Sequence, residues 1–108
     1  PSKQVAIWTS SAKRALQTAE IVAEALDVDT SELVQKDYLY EQDGQRLTKE
    51  IDELRDDDLD LFIVWHEPGI SIWIEQMTKA VVHVHKGDCW AFNVTGHAPL
   101  KVEAMWNC

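Results

Sequence analysis

Two short apolar runs, each followed by polar residues and then by a helical pattern, limit what this chain can become. Val5 to Trp8 is continuous, apolar and partly β-branched, which reads as a buried strand. Thr9, Ser10 and Ser11 follow, all residue types that favour the start of a helix. Ala12, Ala15, Leu16, Ala19, Val22, Ala23 and Leu26 then recur at helical spacing, one apolar stripe over about four turns. Polar residues from Asp27 to Ser31 end that helix. Leu61 to Trp65 repeats the theme: an apolar run, a break at His66-Glu67-Pro68-Gly69, and a helix marked by Ile70, Trp73, Ile74 and Met77.

Between these units the pattern predicts a short strand near Leu33–Val34, a loop through Tyr38–Gly44, and a helix carried by Leu47, Ile51 and Leu54. Asp56 to Asp58 reads as a solvated acidic turn. The chain closes with Asp88 to Val94, a turn at Thr95-Gly96, and Leu100 to Trp106. In that last stretch Val102, Ala104 and Trp106 alternate with Lys101, Glu103 and Met105, the period of a half-exposed strand. Strand–helix units followed by late strands imply a layered α/β fold. With 108 residues, 45% of them hydrophobic, a single domain over 1–108 is expected.

Charge narrows the partners. Ten basic residues against 19 acidic ones give a formal charge of −9, which argues against nucleic acid and against anionic membrane surfaces. No apolar run approaches the roughly 18–20 residues of a membrane span. Cys89 and Cys108 form no CxxC pair and no disulfide framework, so a reducing, cytoplasmic setting is the expectation. There is no Gly-rich phosphate or dinucleotide loop, and no cofactor is expected.

Ligands of open α/β sheets bind at the carboxyl ends of the strands. Two strand ends here carry chemistry, Trp8-Thr9-Ser10-Ser11-Ala12-Lys13-Arg14 and Trp65-His66-Glu67-Pro68-Gly69. Both lead into helix N-termini, where backbone N–H groups and the helix dipole favour an anion. Arg14 sits in a first helical turn, where a cation opposes the dipole. It fits there either as a plain surface residue or as a fork gripping two oxygens of a bound phosphate. His66 fits as a partly buried histidine satisfied by backbone, or as a donor to a phosphoryl oxygen.

Thr9-Ser10-Ser11-Ala12-Lys13-Arg14-Ala15-Leu16-Gln17-Thr18-Ala19 resembles the second motif of the histidine phosphatase superfamily, the phosphoglycerate mutase-like proteins. Val64-Trp65-His66-Glu67-Pro68-Gly69-Ile70-Ser71 resembles the later histidine motif of its small bacterial phosphohistidine phosphatases. The resemblance covers residues 4 to 106, more loosely in the tail. It implies a layered α/β/α sandwich with a mostly parallel sheet. It also implies a pocket of two histidines and two arginines, in which one histidine attacks phosphorus and forms a phosphohistidine intermediate. Arg14 matches the second arginine, His66 the second histidine, and Ser10 the serine that shapes the pocket. The implied activity is that of a phosphatase on phosphohistidine or a related phosphomonoester. The implied partners are a phosphorylated protein or a small phosphate ester.

Two departures stand out. The family's Arg-His-Gly or Arg-His-Ala motif has no match, and no Arg-His pair occurs in the sequence. The expectation is therefore a fold truncated at its N-terminal strand, with a gap where that central strand belongs, and little or no activity. A module that binds phosphate or a phosphoprotein without turnover is the alternative, and a dimer or complementing chain supplying the missing histidine stays open. Trp65 stands where the family has glycine, and its ring could crowd the pocket or turn into the core. Trp8 and Trp65 each end a strand, and Tyr38-Leu39-Tyr40 could line the same cleft. His83-Val84-His85 would put two rings on one face of a strand, a weak metal motif, and no metal is expected.

Overall fold

The computed structural model describes residues 4–54, 59–85, 90–95 and 101–107. The chain divides into two compact units, Pro1–Asp43 with Arg55–His66, and Gly44–Leu54 with Glu67–Cys108. The expected acidic turn at Asp56–Asp58, and Asp88, Cys89, Gly96 and Leu100, lie outside the described residues.

The first unit holds a parallel sheet of β1 (Gln4–Thr9), β2 (Val34–Gln35) and β3 (Leu59–Val64), with α1 (Lys13–Ala25) between β1 and β2 in sequence. Strand order is β2-β1-β3. β1 is central and pairs with β3 along its whole length, from Gln4 opposite Leu59 to Thr9 opposite Val64. The mixed α/β class is thus as expected. The expected gap is not seen between these strands: β1 and β3 are direct neighbours.

Ala15, Ala19 and Ala23 form the buried row of α1, each four residues from the next. Their small side chains let the helix lie close on the sheet. Ile7, Ala19 and Ala23 make the core, flanked by Val5, Val22, Val28, Leu33 and Val64. Leu26, part of the expected stripe, caps the helix and is 37% exposed. The start of α1 also differs from expectation. Its N-cap is Ala12, without a side-chain cap, rather than one of the preceding hydroxyl residues. Ser10 continues the β1 ladder to Val64, so the backbone turns helical only after the sheet has released it.

After a 3₁₀ turn at Thr30–Glu32 and β2, the expected loop contains a short helix, α2 (Asp37–Tyr40). Its Leu39 is fully buried.

The second unit holds α3 (Gly44–Glu53), α4 (Gly69–Thr78) and an antiparallel pair, β4 (Trp90–Thr95) with β5 (Lys101–Asn107). The pairing slips between Asn93 and Val94. Leu47 and Ile51 are buried on α3, and Trp73 and Ile74 on α4. Trp73 Nε1–H donates to Thr48 Oγ1 at 2.9 Å and joins the two helices. Residues 81–85 are neither strand nor helix, so the expected strand through His83-Val84-His85 is not formed; both histidines are exposed. Among the described residues no group of three potential ligands is placed to hold a metal. No described helix is long and apolar enough to cross a membrane.

Ile7 is 1% exposed at the centre of the first unit's core. Ile7→Ala should lower the unfolding free energy by about 2–5 kcal/mol, read as a shift in denaturant midpoint. A smaller loss would mean that α1 settles into the space.

Candidate functional site

In-phase parallel pairing brings the ends of β1 and β3 to one level, Thr9 beside Val64. The next residue extends the ladder, with Ser10 N–H donating to the Val64 carbonyl at 2.9 Å. On the other side Lys36 N–H donates to the Thr9 carbonyl at 2.9 Å. The loops leaving β1, β2 and β3 therefore start from a common, hydrogen-bonded edge.

Ser10 is fully buried. Its Oγ lies 3.2 Å from His66 Nε2 and accepts the Ala12 N–H, also at 3.2 Å. The Ala12 bond satisfies one amide ahead of α1. The first-turn N–H groups that follow have no intrahelical acceptor, and the N-cap residue offers no side chain to cap them. Ser10 and His66, two of the three residues picked out from sequence, are thus in direct contact.

Arg14, the third, sits in the first turn of α1 with an exposed side chain. Among the described residues it forms no ion pair or side-chain hydrogen bond, so nothing ties its guanidinium to Ser10 or His66.

His66 is partly buried and held on three sides. Besides Ser10, the Gln42 side-chain amide nitrogen lies 2.7 Å from Nδ1. The Tyr40 ring meets the imidazole edge to face, with centroids 6.3 Å apart and planes at 75°. Tyr40 does line the site, whereas Leu39 beside it is core. Gln42 was not singled out from sequence. It follows α2 with φ of 65°, a left-handed conformation more usual for glycine or asparagine, and glutamine there carries no recognisable signal.

Trp65, expected either to crowd the pocket or to turn into the core, is half-buried with its indole nitrogen on backbone. Its Nε1–H donates to the Leu39 carbonyl at 2.6 Å. That same carbonyl accepts the Gln42 N–H at 3.1 Å. The residue preceding His66 therefore braces the turn that delivers Gln42 to the His66 ring. Trp8 is nearly buried at the end of β1, with Lys36 Nζ 4.6 Å from its ring centroid, a cation–π contact.

Trp65→Phe keeps an aromatic ring, though a smaller one, and removes the donor. It should cost about 0.5–1.5 kcal/mol in unfolding free energy. An unchanged denaturant midpoint would mean that Trp65 contributes packing alone.

Residues 2–86 match the family model of the histidine phosphatase superfamily (branch 1). No curated protein and no solved structure matches the chain. The match spans most of the sequence and includes both strand-end loops that meet at Ser10 and His66. On that ground the chain belongs to the histidine phosphatase superfamily.

Proposed function

We propose that the edge formed by Ser10, Arg14 and His66 is the phosphate-gripping part of a phosphatase site for phosphohistidine or a related phosphomonoester. The observation that carries this reading is the contact of Ser10 Oγ with His66 Nε2 beside the uncapped start of α1. A phosphoryl group there would meet backbone N–H groups of the first turn and the positive end of the helix dipole. Arg14, four residues beyond Ser10, would swing its fork onto two phosphoryl oxygens. A third oxygen would take a hydrogen bond from His66. Charge building on phosphorus-bound oxygens during transfer is stabilised by such fixed donors.

A protein-borne substrate of the phosphohistidine phosphatase type fits best. No long insertion separates Arg14 from His66 to wall off the edge, and Tyr40 beside it is 59% exposed.

A second reading, phosphate binding without turnover, is favoured by the lack of any Arg-His pair within residues 1–108. The family's nucleophile belongs to that motif. We therefore propose that these 108 residues by themselves bind phosphate but hydrolyse aryl phosphates slowly or not at all. Removing a nucleophile commonly costs several orders of magnitude.

Inorganic phosphate should raise the thermal unfolding midpoint of the chain. Saturation at about a hundred times Kd corresponds to roughly 2.7 kcal/mol. Arg14→Ala should abolish the rise, and Arg14→Lys should restore only part of it, because a point charge replaces a two-pronged fork. Equal stabilisation of Arg14→Ala and the unaltered chain would sink the phosphate site. Turnover of an aryl phosphate that His66→Ala alone eliminates would sink the non-catalytic reading.

A further inference from the structure

We infer that Gln42 is a positioning residue that holds the His66 imidazole as its Nε2–H tautomer, with that N–H aimed at the Ser10 hydroxyl. The inference rests on the phosphate site proposed above only for its use, not for its geometry. The amide nitrogen of Gln42, 2.7 Å from Nδ1, carries hydrogens and no accepting lone pair. With the amide nitrogen turned to the ring in this way, Nδ1 is the acceptor and the one proton of the neutral ring resides on Nε2. Nε2 in turn lies 3.2 Å from Ser10 Oγ, which accepts it.

Three features fix the turn and the ring that meet here. The Gln42 N–H is bonded to the Leu39 carbonyl at 3.1 Å, Trp65 clamps the same carbonyl, and Tyr40 stands edge-on to the imidazole. The backbone of Gln42 is left-handed, an unfavourable state for a residue with a Cβ, so the turn carries its side chain at a cost. A phosphoryl oxygen displacing the Ser10 hydroxyl would meet an N–H donor rather than a lone pair. A ring free to choose its tautomer would offer that donor only part of the time, weakening binding in proportion.

Ring-nitrogen shifts of His66, read by long-range proton–nitrogen correlation on the labelled 108-residue chain at neutral pH, test this directly. The expected pattern is an unprotonated Nδ1 and a protonated Nε2. Gln42→Gly suits the left-handed backbone, so it should keep the fold by circular dichroism while the two tautomers mix. Its affinity for inorganic phosphate should fall about two- to tenfold. Gln42→Glu puts an acceptor beside Nδ1 and should bring a proton there. A proton on Nδ1 in the unaltered chain, or a Gln42→Gly spectrum identical to it, would overturn the inference. Failure of the unaltered chain to bind phosphate would instead remove the phosphate site and leave the tautomer to be decided by the spectra.

Discussion

The parallel pairing of β1 with β3, in phase along six residues, sets the level at which two distant parts of the chain end. Ser10 and His66 are 56 residues apart in sequence and within hydrogen-bond distance in space. A one-residue slip in a parallel ladder would turn every side chain on β3 to the other face and move Val64 away from Ser10 N–H. The buried alanine row of α1 supports the same arrangement from one face of the sheet. Small residues there fix the height of the helix, and with it the position of the first turn that carries Arg14.

A second set of bonds converges on one carbonyl. Leu39 O accepts from both the Gln42 backbone and the Trp65 indole. A carbonyl oxygen has two lone pairs, and here both are used. Through this atom the short helix α2 and the end of β3 are joined, and the His66 ring lies among Tyr40 and Gln42, from α2 and the turn after it, and Ser10, which follows β1. The tryptophan that departs from the family pattern thus belongs to the support of the histidine beside it.

The elements with long periodic patterns were legible in the sequence. The stripe from Ala12 to Leu26 and the runs at Val5–Trp8 and Leu61–Trp65 became α1, β1 and β3 to within a residue or two, because burial demands continuous or periodic apolar residues. Ser10 and His66 were legible for another reason, since polar residues directly after buried strands lie at the sheet edge. Gln42 and the role of Trp65 were not. Both depend on side-chain hydrogen bonds across 24 and 26 residues, which leave no periodic trace. The start of α1 was misplaced because Ser10, a good cap by type, is engaged first by the sheet. His83-Val84-His85 alternates as a strand would, but alternation alone does not supply a partner strand.

The left-handed backbone at Gln42 carries a cost. Selection for stability alone would favour glycine there, which adopts φ near 65° without a clash. Glycine would leave the histidine ring without its neighbour. Position 42 is therefore a point where the backbone and the contact with His66 call for different residues.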